Sequence, residues 1–511
     1  MPILHWLDRD KHTKAAEAVP YRLLEADDEH SAGEDDTPNM LIQGDNLEAL
    51  KALLPYYAGR VKCIFIDPPY NTRSAFEHYD DNLEHSQWLA MMFPRLQLLR
   101  DLLAEEGSLW VTIDDNEGNY LKVIMDEVFG RKNFIGSVAW EKSDSPRMDA
   151  VFFSYRHDNV LAYAKTLDQV LFKKLPSEEV PEHYNKTDKD GRRYYTKPLR
   201  AMGGQGETRQ ARPTLYYPIL APDRTEVFPK KQDGTDGAWR WNKEKVGAEE
   251  NRIDWVKGRN GWVPYYRIYA DNLKERPAET IWFNSEVGSN RTSKAEVKAL
   301  NLSQQSFETP KPEGLLRRIL QIATNENDLV LDSFLGSGTP AAVAHKMGRR
   351  YIGIEMGNHA LTHCVPRLEK VVEGEQGGIS AAVNWKGGGG FRFYKLGPLV
   401  FDPEGRINPQ IRFAYLAAHI WFSETHTALH KKARSPLLGV HNGVAYYLLY
   451  NGILGDKRQD GGNVLTARVL VELPPHDGQR VIYGEACRLG TLRLKDLGII
   501  FKQTPYDVKA S

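Results

Sequence analysis

Hydrophobic and polar positions along two stretches of the chain predict strands that alternate with helices. Val61–Ile66 is a short apolar run, typical of a strand buried on both faces. Leucines at helical spacing precede it at positions 47, 50, 53 and 54, and a longer helical pattern follows between positions 88 and 103. The alternation continues with strands at 108–113, 134–140 and 159–163 and a helix at 120–129. This order predicts an open, mostly parallel α/β sheet.

The pattern weakens after about residue 166 and resumes near residue 306 with the order helix, strand, helix and strand. Between these positions the turn pairs Gly203-Gly204, Asp233-Gly234 and Asn260-Gly261 are frequent. Four glycines at 387–390 predict a hinge or turn, and a mixed α/β pattern follows them. The predicted segments are a polar N-terminal arm at 1–37, α/β segments at 38–165 and 306–380, an insertion at 166–305 and a C-terminal α/β domain at 381–511.

The composition is that of a folded globular protein. The 511 residues are 41% hydrophobic and 26% charged, and no apolar run approaches the ~20 residues of a membrane-spanning helix. The first residues lack the pattern of a secretory signal, and none of the three cysteines forms a CxxC pair. We therefore expect no disulfide framework, no membrane partner and a reducing intracellular compartment.

The formal net charge of −1 hides an uneven distribution. Residues 191–270 contain 16 Lys and Arg against 9 Asp and Glu, together with twelve aromatic residues. Residues 25–36 contain seven carboxylates and no Lys or Arg, which predicts a solvated arm or loop. A basic stretch rich in aromatic residues is typical of a nucleic-acid surface. The alternative is a β-rich insertion whose tryptophans form its core.

The tetrapeptide Asp67-Pro68-Pro69-Tyr70 directly follows the predicted strand Val61–Ile66. An exocyclic amine on a base is a poor nucleophile because its lone pair is delocalised into the ring. A carboxylate oxygen of Asp67 and the rigidly held carbonyl of Pro68 can accept the hydrogens of such an amine. Tyr70 offers an aromatic face to a base removed from its stack. The alternative is a tight turn without chemistry.

A glycine-rich turn follows the second predicted set of elements. The strand that ends at Asp332 runs into Gly336-Ser337-Gly338 and a helix, and the next strand ends at Glu355, 23 residues after Asp332. This layout is typical of the nucleotide-binding half of a doubly wound sheet. No Lys followed by Ser or Thr stands after the glycines, so a ligand without phosphates is favoured. An ordinary strand–turn–helix remains the alternative.

Together these motifs resemble the β-class of S-adenosylmethionine-dependent amino-methyltransferases, in which the motif order is circularly permuted. Residues 44–46 and 308–316 resemble its cofactor-side motifs. Within this class the chain most resembles the modification subunit of type III restriction–modification systems. That resemblance is carried by residues 66–72, 112–117, 385–392 and 501–506.

The resemblance implies roles for individual residues. Asp67 and Pro68 would accept the amine hydrogens, Tyr70 would stack on the base, and Pro69 completes the catalytic tetrapeptide. Glu355 would bind the ribose hydroxyls of S-adenosylmethionine. The other cofactor residues implied are Asp45, Asn46, Lys311, Asp332, Phe334, Gly336, Ser337, Gly338 and Thr339. No metal is expected, since the spacing of His426 and His430 is not accompanied by further ligands.

The implied fold is a Rossmann-like domain formed by a catalytic half at 38–165 and a cofactor-binding half at 306–380. Residues 166–305 would recognise the target, and residues 381–511 would serve dimerisation or partner binding. The implied activity is methylation of adenine N6 in a specific double-stranded DNA sequence after base flipping.

The expected partners are a second copy of the chain and a separate restriction subunit with helicase and nuclease activity. The expected location is the bacterial or archaeal cytoplasm, with association to the nucleoid when the protein is bound to DNA. Three alternatives stay open: a cytosine-N4 methyltransferase, an enzyme acting on an RNA base, and a DNA-recognition subunit of a defence complex with weak catalysis.

Overall fold

The computed structural model describes residues 3–72, 84–176, 183–204, 206–258, 261–270, 275–302, 307, 309–402 and 404–508. Two compact units divide the chain. The large unit consists of Met1–Lys173 and Glu279–Ser511, and the insert unit is Lys174–Ala278. Asn260 of a predicted turn and Glu308 of the cofactor-side motif lie outside the described residues. The insert unit falls within the segment predicted at 166–305.

The large unit is built on a sheet of ten described strands. In chain order they are β1 Arg22–Gly33, β2 Met40–Gln43, β3 Val61–Ile66, β4 Leu103–Ile113, β5 Phe134–Glu141, β6 His157–Ala164, β7 Ile281–Trp282, β8 Leu329–Asp332, β9 Arg350–Glu355 and β10 Gly390–Leu399. Their spatial order is β1-β10-β2-β9-β8-β3-β4-β6-β5-β7. The predicted α/β sheet is therefore confirmed.

Six neighbouring strands, β10, β2, β9, β8, β3 and β4, run parallel. Strand β1 pairs antiparallel with β10, β6 pairs antiparallel with β4 and β5, and β7 runs parallel to β5. From β3 the chain continues to β4 on one side, whereas from β8 it continues to β9 on the other side. The boundary between β3 and β8 is thus a topological switch point, where α/β sheets open a crevice at the carboxyl ends of their strands.

Helices pack around the sheet of the large unit, and most of them connect its parallel strands. They are α1 Asn46–Tyr57, α2 His85–Leu102, α3 Gly118–Met125, α4 Asn290–Leu300, α5 Glu313–Ala323, α6 Thr339–Lys346, α7 Val365–Glu373 and α8 Phe413–Thr425. Shorter helices span Arg9–His12, Ala15–Ala18 and Asn284–Val287. The central strands are buried along almost their whole length because helices cover the sheet, and part of their apolar side chains form a core with α1 and α2.

The acidic N-terminal stretch corrects one prediction. A solvated arm or loop was expected at 25–36, but Arg22–Gly33 form the edge strand β1, which pairs with β10. Edge strands tolerate charge because one side of the strand faces water, and the side chains of β1 stay half-buried or exposed. In the glycine run, Gly387, Gly388 and Gly389 all have positive φ, and the hinge or turn expected there stays a prediction. The run leads directly into β10 of the large sheet, inside the range predicted as a C-terminal domain.

Residues after α8 form a second, four-stranded sheet in the large unit. Its strands are Leu437–His441, Val444–Leu448, Arg480–Gly484 and Ile499–Gln503. A strand pair joins Val464–Leu465 to Ala486–Cys487, and short helices span Ala467–Glu472 and Thr491–Asp496. Across the described residues, no helix has the length and apolarity needed to cross a membrane.

The insert unit is rich in β structure. Its main sheet is antiparallel and has the order Ile253–Gly258, Gly261–Tyr269, Arg193–Pro198 and Lys186–Thr187. Strand pairs join Ile219–Leu220 to Glu226–Val227 and Leu175–Pro176 to Glu275–Arg276, and an α-helix spans Lys243–Ala248. Trp239 and Trp241 are buried in its small core. For these two side chains, the prediction that the tryptophans form a core is correct.

Candidate active site

The switch point brings the two predicted motifs to one edge of the sheet. Strand β8 pairs with β3 so that Leu331 lies opposite Ile64, and both strands end at this edge. A cavity of about 840 Å³ opens there. Ten predicted site residues line it: Asp67, Pro68, Pro69, Tyr70, Lys311, Asp332, Phe334, Gly336, Ser337 and Thr339. The other four, Asp45, Asn46, Gly338 and Glu355, lie outside its lining.

The Asp67 carboxylate is held on both oxygens. Oδ2 forms an ion pair with Nζ of Lys311, and Oδ1 accepts a hydrogen bond from Oγ1 of Thr112 at 2.5 Å. The following turn is also fixed, because Nε1 of the buried Trp88 donates to the Pro69 carbonyl at 2.8 Å. These contacts set the direction of the carboxylate before any substrate arrives. Such preorganisation is what a group that must orient an amine requires.

Tyr70 is anchored through its hydroxyl group. The hydroxyl donates to Oδ2 of Asp158 at 3.3 Å, and Nζ of Lys142 lies 2.5 Å from the other oxygen of that carboxylate. Burial raises the pKa of Tyr70 well above its ordinary value, and the carboxylates of Asp158 and Asp67 raise it further. The phenol is therefore neutral and keeps its donor hydrogen. The aromatic ring is left at the cavity wall, where a planar ligand can stack on it.

The glycine loop between β8 and α6 adopts a backbone that suits glycine. Gly336 and Gly338 have φ of +58° and +80°, and a Cβ on Gly336 would stand 3.1 Å from the ring of Phe307. Glu355 holds the loop from behind. Its Oε2 accepts from the Gly336 amide at 2.7 Å and its Oε1 from the Gly357 amide at 3.2 Å. Glu355 is only 2% exposed, so its predicted contact with ribose hydroxyls stays a prediction.

Asp332 supplies the observation that bears on the ligand. Its Oδ1 accepts from the Phe334 amide at 2.8 Å, whereas its buried Oδ2 has no hydrogen-bond partner within the described part of the chain. Burial raises the pKa of Asp332 well above its ordinary value, and the nearby carboxylates of Asp67 and Glu355 raise it further. A cationic ligand group in the cavity would oppose this effect.

The described part of the cavity lining is acidic. It contains six aspartates and three cations: Asp67, Asp114, Asp115, Asp149, Asp158 and Asp332 against Lys142, Arg147 and Lys311. Such a lining favours a positively charged ligand and disfavours phosphate groups. The sulfonium and ammonium groups of S-adenosylmethionine fit this lining, and the glycine loop leaves room for the backbone to approach a ligand.

Asp45 and Asn46 lie outside the cavity lining and stabilise the backbone next to it. Asp45 caps α1 by accepting from the Leu47 amide at 2.8 Å, and Nδ2 of Asn46 donates to the Ser333 carbonyl at 2.7 Å. Arg95 contacts both side chains, with an ion pair to Asp45 at 3.1 Å. In this structure the pair fixes the chain just after β8, so the predicted direct contact with the cofactor stays a prediction.

Sequence reasoning missed several groups. The contact of Thr112 with Asp67 follows from strand pairing. Strands β3 and β4 run parallel with Ile66 opposite Val111, so the next residues, Asp67 and Thr112, lie side by side. The contact between Lys142 and Asp158 had no signal in the sequence, since it depends on the antiparallel pairing of β5 and β6. Arg367 was also missed: it is fully buried and donates to Oγ1 of Thr339 at 2.7 Å.

A family model described as DNA methylase, N6_N4_Mtase, matches residues 61–365. The match spans both motifs at the cavity and the whole insert unit. The chain belongs to this family. DNA methylases of this family use S-adenosylmethionine, in agreement with the acidic cavity and the glycine loop. The predicted family resemblance is confirmed.

Relatives of the chain include two modification subunits. It is 33% identical over 431 residues to the probable type III restriction-modification enzyme HindVI Mod subunit of Haemophilus influenzae, covering 73% of this chain and 57% of that protein. It is 31% identical over 395 residues to the EcoPI Mod subunit of Escherichia phage P1, covering 67% and 60%. The chain thus spans little more than half the length of these relatives.

Solved structures similar to the chain include the cytosine-N4-specific PvuII DNA methyltransferase. The identity is 14% and the TM-score 0.36, with 66% of this chain and 90% of that chain covered.

Proposed function

We propose that the protein is a site-specific DNA methyltransferase that transfers a methyl group to adenine N6, as the modification subunit of a restriction–modification or phage-defence system. The observation that carries this proposal is the meeting of the Asp67–Tyr70 tetrapeptide and the Asp332 glycine loop in one cavity at the switch point. The tetrapeptide and the glycine loop are far apart in sequence, yet they follow the carboxyl ends of the adjacent strands β3 and β8.

One group of cavity residues would bind the cofactor, and another would bind the target base. Bound S-adenosylmethionine supplies an electrophilic methyl group on a sulfonium, which the residues around Asp332, Phe334 and Gly336 would hold. Asp67 and the Pro68 carbonyl accept the hydrogens of the target amine and direct its lone pair toward the methyl group. Tyr70 stacks on the base, and Lys311 with Thr112 keeps the Asp67 carboxylate in place.

Adenine rather than cytosine is proposed because the tetrapeptide begins with Asp67 and because relatives are named as type III Mod subunits. The same relatives support DNA as substrate and a separate restriction subunit as partner, and we propose that the DNA is double-stranded. We also propose a homodimer, with residues 381–511 contributing to its interface, acting in the bacterial or archaeal cytoplasm. Cytosine N4, an RNA base and a mainly DNA-recognising role remain the competing functions.

Target recognition is assigned to the insert unit. Residues 191–270 carry a net charge of +7, and cations such as Arg224, Arg240 and Lys243 are exposed. These three form no ion pair with another residue in the ranges that the structure describes. Free cations on a β-rich unit can neutralise phosphates while neighbouring side chains read base edges.

The first experiment measures transfer of a labelled methyl group to genomic DNA from a host lacking this activity. Asp67→Ala should lower the rate at least about a hundred-fold, because the oriented acceptor is lost. Asp67→Asn, which keeps the shape of the side chain and its bond to Thr112, should also be strongly impaired. Asp168→Ala, an exposed aspartate away from the cavity, is the matched control and should transfer at the wild-type rate.

Equal transfer by the wild type and both Asp67 variants would contradict the catalytic assignment. Absence of transfer by the wild type, with DNA binding retained, would favour the recognition-subunit function instead. Sequencing of the methylated DNA would report the modified base together with its sequence context, so N4-methylcytosine at the target would replace adenine in the proposal.

A further inference from the structure

The loop between β5 and β6 exposes a group of large apolar side chains. Phe152 and Phe153 are 90% and 79% exposed, and Met148, Val151 and Tyr155 are exposed as well. Scattered apolar residues are normal on a protein surface, but a contiguous group of this size marks a contact site. We call residues 148–155 the apolar loop.

The apolar loop stands at the mouth of the cavity. Val151, Phe152, Phe153 and Tyr155 are part of the cavity lining that also contains Tyr70. A partner bound to the apolar loop would therefore lie next to the cavity.

The base of the loop is anchored while its tip is free of the core. The Lys142 amide donates to the Arg156 carbonyl at 2.9 Å, and Nη2 of Arg156 donates to Oε1 of Glu141 at 2.6 Å. Within the loop, the Arg147 amide donates to Oγ of Ser154 at 2.6 Å. These bonds hold the two arms together and leave the phenylalanines projecting, which suits insertion into a partner.

The charges of the cavity lining indicate which part of a DNA partner can enter the cavity beside the apolar loop. Among the described residues, the cavity lining has three more aspartates than cations, so a phosphate backbone is repelled from its interior, whereas an uncharged base is not. A base that leaves its stack exposes the aromatic faces of its two neighbours. Large apolar side chains fill such gaps in duplexes, and stacking of an aromatic side chain on a base is favourable.

We propose that Phe152 and Phe153 form a wedge that enters the DNA duplex beside the target base and occupies the gap which that base leaves. The proposal rests on the proposed function, because it takes duplex DNA as the partner and the cavity as the destination of the base. The wedge makes no contact with the reacting atoms. It stabilises the open duplex, and the tetrapeptide acts on the extruded base.

The test compares an intact duplex with a duplex in which one base is already missing. Binding of the full-length wild type is measured by fluorescence anisotropy on a duplex and on the same duplex with one abasic position. We expect about ten-fold tighter binding to the abasic duplex, because the wedge fills the gap without the cost of unstacking a base. Phe152→Ala with Phe153→Ala should remove that preference. Leu492→Ala, an exposed leucine of the C-terminal segment, should keep it.

A second arm uses the sequence that the wild type methylates. The double variant should methylate the intact duplex about ten-fold more slowly and should regain most of the rate when the target adenine stands opposite an abasic position. A merely structural defect would slow both substrates equally. Sedimentation of both proteins shows whether the loop instead joins two copies of the chain.

The outcomes separate this inference from the proposed function. Equal affinity of the wild type for both duplexes, an abasic preference that survives in the double variant, or dissociation of an oligomer caused by that variant would each overturn the wedge. A wild type that prefers the abasic duplex but transfers no methyl group would support the wedge and overturn the proposed function.

Discussion

The switch point of the large sheet and the surface of the insert unit both carry charged residues, but they differ in how those charges are held. At the switch point Asp67 is bound by Lys311 and Thr112, so its direction is set by two segments that are distant from it in sequence. On the insert unit, cations such as Arg224 and Arg240 are exposed. The function of Asp67 depends on the exact position of one carboxylate, whereas the proposed DNA binding of the insert unit depends on the total charge of many side chains. Single substitutions should therefore disable the first, whereas the second should weaken by degrees.

The largest effect is expected in the buried network behind the glycine loop. Arg367 is fully buried and joins Oγ1 of Thr339 at 2.7 Å to Oε1 of Glu313 at 2.9 Å. Arg367→Met would leave Glu313 with Lys346 as its remaining cation and release the loop. We expect a loss of about 3 kcal/mol in the free energy of unfolding, measured by urea denaturation, and weaker S-adenosylmethionine binding by calorimetry.

Arg291→Met, on the exposed face of α4, is the control for Arg367→Met and should change neither quantity. If Arg367→Met left both unchanged, the loop would not depend on this buried network, and the contrast between the two regions would lose its basis.

The next effect concerns the insert unit. Simultaneous change of Arg224, Arg240 and Lys243 to glutamine should weaken DNA binding about ten- to a hundred-fold at low salt. For each side chain that no longer neutralises a phosphate, the slope of log affinity against log salt should also become shallower by about one. Stability should change little, because the three side chains are exposed. Fluorescence anisotropy across a salt series measures both the affinity and the slope.

The matched control changes three exposed cations of the C-terminal segment, Lys431, Arg468 and Lys495, to glutamine. Equal losses from the control and the insert variants would show that binding follows total charge, and target recognition by the insert unit would be rejected.

The same contrast explains which features of the site and of the insert unit could be predicted from the sequence. Strand ends can be predicted from apolar runs, so the tetrapeptide after β3 and the loop after β8 were located, and parallel pairing brings them together. Contacts between distant segments, such as Arg367 with Glu313, depend on helix packing that periodicity does not specify. In the insert unit, composition showed the basic charge, but it did not show that Trp239 and Trp241 are buried while Trp262 bonds to Asp223 at the surface.

The smallest effect is a dependence of stability on pH near the same buried network. Burial, together with the nearby Glu313 carboxylate, raises the pKa of Glu296 to about 7. The Glu313 amide, which donates to Oε2 of Glu296 at 3.0 Å, acts in the opposite direction. Between the ordinary value of 4.5 and about 7, the folded protein thus holds a proton that the unfolded chain has released. The contribution of Glu296 to stability is therefore fully present below 4.5 and lost as pH rises through about 7.

Glu296→Gln removes this titration while it keeps an acceptor for the Glu313 amide. Relative to the wild type, the variant should gain about 1–2 kcal/mol in the free energy of unfolding between pH 5 and pH 8, measured by urea denaturation. The exposed Glu369→Gln on α7 is the control and should show no such gain. The insert unit offers the contrast, because hydrogen bonds lower the pKa of Asp223 and Asp236 to about 2 and keep both charged throughout this range. A flat difference between Glu296→Gln and the wild type would mean that this carboxyl is ionised at neutral pH, with the Arg367 and Lys346 charges compensating its burial.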